Sequence, residues 1–397
     1  MQILLGITGG IAAYKAADLA RLLVNQGHRV RCVLTEAGAR FITPLTLTSL
    51  TGEPCHGANP DQGEWRAKPV IEHIELARWA DLVAVVPATA DFLGKAANGL
   101  ASDLLGAVLL ATRAPVLWAP AMNTGMWEHP AVQSNVARLR SFGHTIVDPG
   151  EGALACGEEG AGKLAEVAAI AEAIQMQGTP KLPSLDGRRV LITAGPTRED
   201  LDPVRTLTNR STGTMGIELA RAFRDCGATV QLVLGGEAPA PWGVETIRVR
   251  SAQEMLEACL ARWAAADGLM AAAAVADQKP EFFSSQKVKK GEGAETLVLV
   301  RTPDILAQLS ASRRSDQWVV GFAAESDHHL DHAMAKLKKK GLDAVLMNEV
   351  QAGGAFGVQA NTLTPITAQG VQPRLGPLPK ELLARAVVAW WAQQLES

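Results

Sequence analysis

Short apolar runs alternate with longer amphipathic stretches along the whole chain. Gln2-Ile-Leu-Leu-Gly-Ile7 has the continuous hydrophobicity of a strand buried on both faces. Thr8-Gly-Gly-Ile-Ala-Ala-Tyr14 turns the chain into a helix ending near Asn25. Gly27 stops it, and Arg29-Val-Arg-Cys-Val-Leu34 is the next strand. Asp81–Val86, Ala114–Ala119 and His144–Val147 read as further strands, and Glu72–Trp79 as a helix. This alternation predicts a doubly wound parallel sheet. The stretch Gly150–Gly162 reads as a loop whose five glycines imply mobility or close backbone approach to a ligand, with a closing helix from Lys163 to Ile174.

A proline-bearing stretch without periodicity follows, and then the pattern restarts. The boundaries expected are a first domain over 1–175, a linker over 176–187 and a second α/β domain over 188–397. In the second, Arg189–Thr193 and Thr229–Leu234 are strands flanking a helix over Gly213–Cys226. Helix 252–265 leads into a buried strand, Gly268–Asp277. Leu297–Val300, Trp318–Gly321 and Asp343–Met347 are later strands, and Pro379–Leu395 is a terminal amphipathic helix.

Length and composition narrow the class. At 397 residues, 47% hydrophobic and 20% charged, the chain suits two globular domains. The net charge of −3 gives no electrostatic case for a nucleic-acid or membrane partner, and no apolar run reaches membrane-spanning length. The apolar start lacks a basic leader and is broken by Gly6, Gly9 and Gly10, so it reads as a strand, not a signal peptide. Five scattered cysteines without a CxxC pair argue against a disulfide framework or structural zinc, and fit a reducing cytoplasm.

Ligands of open α/β sheets bind at the carboxyl ends of the strands, so the polar groups there are the candidates. Gly9 and Gly10 follow the first strand without completing GxGxxG, and no P-loop is present. A single phosphate at the helix start, or a ligand-free tight turn, fits them equally. Thr35 ends the second strand, and Pro87-Ala-Thr-Ala-Asp91 the third. Pro120-Ala-Met-Asn123 follows another strand; Asn123 either serves chemistry or caps a helix. Met122, Met126 and Trp127 around it could wall an apolar pocket or belong to the core. His73 sits at a helix start, a place for a cap or surface histidine as well as a catalytic one. Cys156, among glycines, is a better catalytic candidate than Cys32 on a strand. In the second half, Asp202–Gly213 is a long polar loop. The loop carrying Lys287, Lys289 and Lys290 is either solvated surface or a clamp on phosphate oxygens.

Taken together, Gly9-Gly-Ile-Ala12, His73, Pro120-Ala-Met-Asn123 and Leu154-Ala-Cys-Gly157 resemble the flavin-containing cysteine decarboxylases. The second half resembles phosphopantothenoylcysteine synthetases through Ala194-Gly-Pro-Thr-Arg198, Asp202-Pro-Val-Arg205, Asn209, Ala273-Ala-Val-Ala-Asp277 and Lys287-Val-Lys-Lys290. Both halves in this order resemble the bacterial bifunctional enzymes that carry out two successive steps of coenzyme A biosynthesis. The resemblance implies a flavodoxin-like domain of the HFCD flavoprotein type followed by a Rossmann-like ligase domain.

It also implies roles. Gly9, Gly10, Ile11, Ala12, Thr35, Pro87, Ala88, Thr89 and Asp91 would hold FMN. His73 would be the base or charge partner, Asn123 would bind the substrate carboxylate, and Cys156 would donate a proton to an enethiol. The ligase would activate 4′-phosphopantothenate with CTP and pass it to cysteine, with Mg²⁺ on the phosphates. Ala273, Ala274, Asp277, Pro303, Asp304, Ile305, Phe322, Lys336 and Lys340 would contact the nucleotide, and Asp277 could also place the metal. Lys287 would serve acyl transfer to the nucleotide, and Arg205 and Asn209 would hold the acyl-nucleotide. A homo-oligomer is implied, with trimeric decarboxylase and dimeric ligase contacts. Departures from the family pattern are Thr214 for a lysine, Gln278 for an aromatic residue and Lys163 for an arginine. Two rivals share these residues: a flavin decarboxylase of another cysteinyl peptide, and a non-catalytic flavin-binding regulatory subunit.

Overall fold

A computed structural model of the chain describes residues 1–57, 71–154, 157–288, 296–325, 329–349 and 360–396. The chain forms two compact units, Met1–Thr179 and Pro180–Ser397.

In the first unit, β1 (Gln2–Ile7), β2 (Arg29–Leu34), β3 (Cys55–His56), β4 (Leu82–Ala88), β5 (Val116–Pro120) and β6 (Thr145–Ile146) form one sheet. Its order is β3-β2-β1-β4-β5-β6, and every pairing is parallel. Without the two-residue edge strand β3, the order is second, first, third, fourth, fifth, the flavodoxin-like arrangement. Parallel strands must be covered on both faces, which explains why β4 and β5 are buried at every position. One of the covering layers joins Val83, Val85 and Trp118 of the sheet to Leu76, Leu93, Leu105 and Leu139 of the helices.

The glycine-rich stretch expected as an open loop is instead an antiparallel hairpin, β7 (Gly150–Ala153) with β8 (Glu159–Lys163). Glycine carries no side chain to signal a strand, so composition concealed it. Lys163 ends β8, and the helix expected from that residue begins at Val167 and runs to Gln177.

The strands of the second unit are β9 (Arg189–Ala194), β10 (Arg198–Asp200), β11 (Thr206–Thr208), β12 (Thr229–Gly235), β13 (Glu245–Val249), β14 (Gly268–Ala271) and β15 (Gln278–Pro280). They continue with β16 (Leu299–Arg301), β17 (Trp318–Glu325), β18 (Ala344–Glu349), β19 (Ala360–Thr367), β20 (Gly370–Val371) and β21 (Leu375–Pro379). The main sheet runs β13-β12-β9-β14-β17-β18-β19-β20, with β21 also on β19. Its six parallel strands follow the Rossmann order, and β19 extends them antiparallel.

Alternation along β9 builds two cores. Val190, Ile192 and Ala194 face one, and Leu191 faces the other. The terminal helix Lys380–Glu396 seals the first with Leu383, Val387 and Trp391, where Trp391 lies 5.3 Å from Trp318, ring centre to ring centre.

Three expectations need correction here. The Gly268–Asp277 run is a strand only to Ala271; beyond it, Ala272 and Ala274 donate to Thr193 O and Gly195 O at the end of β9. The strand near Leu297–Val300 is β16, which pairs with β15 outside the main sheet, so its apolar residues do not mark a core strand. Strands β19 to β21 were not expected, because threonines and Pro365 break the apolar run of β19.

Candidate functional site

In each unit, candidate residues follow strands at the carboxyl edge of the sheet, where β1 meets β4 and β9 meets β14. At the first edge, Thr8 ties the two strands together. Its hydroxyl donates to Pro87 O at 2.7 Å and accepts from Thr89 N at 3.1 Å. Gly9 is required by close approach: a Cβ there would lie 2.4 Å from Ala37 Cβ. Gly10 opens a 3-10 turn, Ile11–Tyr14, without a side-chain cap, so the amides of that turn lack a side-chain acceptor. Ala88 is fully buried at the end of β4, and Thr89 caps the helix Ala90–Ala97 by accepting from Phe92 N.

Besides Thr89, two more of the positions implied for FMN are already engaged. The buried Thr35 hydroxyl donates to Ile7 O at 3.2 Å and accepts from Gly38 N, which makes it a brace of the edge. Asp91 pairs with Lys95 at 2.8 Å. Ile11 and Tyr14, 62% and 56% exposed, leave a large apolar surface beside the glycines.

Asn123 caps the helix Thr124–Glu128. Its Oδ1 accepts from Gly125 N at 2.8 Å, and its Nδ2 donates to Glu158 Oε2 at 2.5 Å. Glu158 leads into β8, so the hairpin and the Asn123 loop form one construction. Gly162 makes the close approach possible. Met122 N donates to its carbonyl at 2.9 Å, and a Cβ at Gly162 would lie 2.4 Å from Met122 O. Met122 and Trp127 pack on the core, while Met126 is exposed. Cys156 lies outside the described residues; of its described neighbours, Gly157 N donates to Leu154 O at 3.0 Å. His73 is half-buried in the first turn of the helix Glu72–Trp79, with no side-chain hydrogen bond among the described residues. Beside it, Glu72 Oε1 lies 2.7 Å from His56 Nδ1, a contact between residues that no motif had linked.

At the second edge is a cavity of about 1000 Å³. Asn209, Ala273, Ala274, Asp277, Pro303, Asp304, Ile305, Phe322, Lys336 and Lys340 all line it. Asn209 Nδ2 donates to Ala274 O and Val275 O at 3.2 and 3.0 Å, which locks its loop against the segment after β14. Asp304 caps the helix Ile305–Ala311 and pairs with Lys340 at 2.8 Å. Burial works against its charge, but Lys340 and the Ala307 N–H outweigh burial and hold its carboxyl below the ordinary range. Lys336 donates to Phe322 O at 2.6 Å. Thr214 and Gln278, the two departures in this half, are both lining residues.

Arg205 and Lys287 are not among the lining residues, and both lie on the exposed polar segments beyond the cavity. The cavity wall also includes Asn348, Asn361 and Lys380, which sequence reasoning missed. Asn361 and Lys380 belong to β19 and the terminal helix, and their meeting depends on antiparallel pairing that brings Ala360 opposite Pro379. Lys380 has no side-chain partner among the described residues.

Residues 1–178 match the family model described as flavoprotein, and residues 185–395 match the DNA/pantothenate metabolism flavoprotein C-terminal domain. The coenzyme A biosynthesis bifunctional protein CoaBC of Vibrio cholerae is 43% identical over 391 residues, covering 98% of this chain and 96% of its own. Its counterpart in Bacillus subtilis is 44% identical over 367 residues, covering 91% of this chain and 89% of its own. The chain belongs to the CoaBC family.

Among solved structures, the C-terminal domain of a CoaBC protein overlaps 54% of this chain and 98% of its own, at 35% identity and a TM-score of 0.46. The FMN-dependent cysteine decarboxylase SpaF overlaps 45% of this chain and 98% of its own, at 32% identity and a TM-score of 0.39. The two family matches together span both units. No helix among the described residues is long and apolar enough to cross a membrane.

Proposed function

We propose that the second unit joins 4′-phosphopantothenate to cysteine using CTP, and that the first unit decarboxylates the product to 4′-phosphopantetheine. Membership of a family of bifunctional coenzyme A biosynthesis proteins supports both activities in one chain. The observation that carries the ligase reading is convergence. Ten positions with implied substrate or nucleotide roles come from five separate segments and line one cavity.

A carboxylate is a poor acyl donor, and forming an acyl-cytidylate with loss of pyrophosphate corrects that. The cavity residues bind and orient the two reactants, so that attack becomes effectively intramolecular. Lys287 supports acyl transfer to the nucleotide. Arg205 and Asn209 retain the acyl-nucleotide until the cysteine amine displaces CMP. Among the described residues there is no group of three metal-ligating side chains. The exposed Asp277 at the cavity wall therefore fits Mg²⁺ carried in on nucleotide phosphates and held by one carboxylate.

The first edge fits FMN, since Gly9 and Gly10 keep side chains away from the turn whose uncapped amides suit its phosphate. FMN bound there would supply a reversible two-electron oxidation of the substrate thiol, placing a thiocarbonyl β to the carboxylate that leaves as carbon dioxide. His73 serves the proton and charge balance at that thiol. Asn123 holds the departing carboxylate, and Cys156 returns a proton to the enethiol when it is reduced. The exposed Ile11 and Tyr14 beside this edge support a surface covered by another copy, in keeping with a homo-oligomer. We place the enzyme in the cytoplasm, where its free cysteines stay reduced.

The test uses purified protein with 4′-phosphopantothenate, cysteine and Mg²⁺, and either CTP or ATP. Pyrophosphate and carbon dioxide are expected with CTP. No pyrophosphate with either nucleotide would remove the ligase assignment, and pyrophosphate without carbon dioxide would remove the decarboxylase assignment. Equal rates with ATP would remove the nucleotide preference.

A further inference from the structure

Asp202 is a fully buried carboxylate in a stretch that is otherwise polar and largely exposed. Its Oδ1 accepts from Val204 N and Arg205 N, both at 2.8 Å. Its Oδ2 accepts from Arg205 Nε at 2.9 Å and, from a segment more than eighty residues later, Val288 N at 3.2 Å. Arg205 Nη2 closes the figure by donating to Val288 O at 3.3 Å. A second tie holds the same two segments, from Ser284 N to Leu201 O at 3.1 Å.

One carboxylate therefore sets two things together. It fixes the Arg205 guanidinium edge-on, and it fixes the backbone immediately after Lys287. The Lys287 ammonium itself has no side-chain partner among the described residues, so its position depends on that backbone. Removing a buried acceptor from four N–H groups leaves those groups unsatisfied or hydrated, and both segments are then free to move apart. A reacting group displaced by about 1 Å can lose about a hundredfold in rate.

We infer that Asp202 is a positioning residue for ligation, holding Arg205 and the Lys287 segment in one arrangement without touching either substrate. This rests on the proposed roles of Lys287 and Arg205. No established step requires Asp202 itself to change protonation, and it lies outside the cavity wall.

The experiment compares the full chain with Asp202→Asn and Val288→Pro. Asparagine keeps the shape but sets an amide N–H₂ against N–H donors. Proline at the partly exposed Val288 removes the N–H that Asp202 accepts, and it also fixes φ there and restricts Lys287 before it. Pyrophosphate release and CMP release are timed separately with CTP, and decarboxylation of preformed phosphopantothenoylcysteine is followed in the same preparations. Both variants are expected to lose at least about tenfold in kcat for pyrophosphate release, with KM for CTP changed less than about threefold and decarboxylation kept. Asp202→Asn should also slow CMP release, because Arg205 loses its anchor.

Full ligation kcat in a folded Asp202→Asn protein overturns the inference, as does a loss confined to KM. If Asp202→Asn does not fold, an unimpaired Val288→Pro overturns it alone. Lys287→Gln separates this from the underlying reading, since full ligation in that variant removes the role of Lys287 and not the tether.

Discussion

The Asn123 amide donates to the Glu158 carboxylate at 2.5 Å, across the gap between the loop after β5 and the glycine hairpin. The donor implied to bind the substrate carboxylate is thus already holding a carboxylate of the chain. On the proposed role of Asn123, Glu158 takes the contact that the substrate's own anion would need. An arriving carboxylate must displace it and meets like-charge repulsion until it does.

Glu158→Ala is therefore expected to lower KM for phosphopantothenoylcysteine a few-fold, by about the strength of one exposed charged contact. Carbon dioxide release at graded substrate concentrations measures it. A raised KM would mean that Glu158 orients the amide and does not compete for it.

Gly162→Ala should damage the same construction sterically. Its φ of 134° disfavours any side chain, and the Cβ would strike Met122 O. We expect about 1–3 kcal/mol of destabilisation and a fall in decarboxylation, with ligation kept. Thermal melts and the two separate assays decide this. A variant as stable and active as the parent would show that β8 can shift freely from the Asn123 loop.

Cys156→Ser should leave ligation intact and stall decarboxylation at the oxidised, unreduced product. Lys287→Gln should do the reverse, retaining decarboxylation of preformed substrate. Product analysis by mass distinguishes the two, and loss of both activities from either single change would refute the division of labour between the units.

Lys380, without a side-chain partner among the described residues, adds a cation to a cavity whose other lysines, Lys336 and Lys340, are engaged with Phe322 O and Asp304. Lys380→Ala should raise KM for one phosphate-bearing substrate by about tenfold, the value of one charge-assisted hydrogen bond. Varying CTP and 4′-phosphopantothenate in turn identifies which of them it holds. Unchanged constants for both would return Lys380 to the solvent.

Asp202 also predicts an acid dependence. Burial opposes its charge, but the N–H groups of Val204 and Arg205, the Arg205 guanidinium and Val288 N–H outweigh burial and hold its carboxyl far below the usual range. A depressed folded pKa stabilises above the unfolded value near ~3.9, and that contribution is lost as pH falls through the folded value. The stability gap between the parent and Asp202→Asn should be full at pH 6 and narrower at pH 3, read from denaturant melts. A gap independent of pH would contradict the charged state.

Period and hydrophobicity alone carried the parallel sheets. Gln2–Ile7 is buried from Ile3 onward, and Arg29–Leu34 and Thr229–Leu234 are buried without interruption over their last three residues, where each run is continuously apolar. The family was legible by a different route, through the resemblance carried by contiguous motifs such as Pro120–Asn123 and Ala273–Asp277. Tertiary structure decided everything that depends on distant segments meeting. In the hairpin of β7 and β8, Gly160 and Gly162 serve close approach to the Asn123 loop of the chain itself, which their number alone did not specify. Lys380 reaches the cavity only through the pairing of β19 with β21, and Asp202 reaches Val288 only because two polar loops fold together. A hydrogen bond between residues far apart in sequence leaves no periodic trace in either segment, so no pattern along the chain could have announced it.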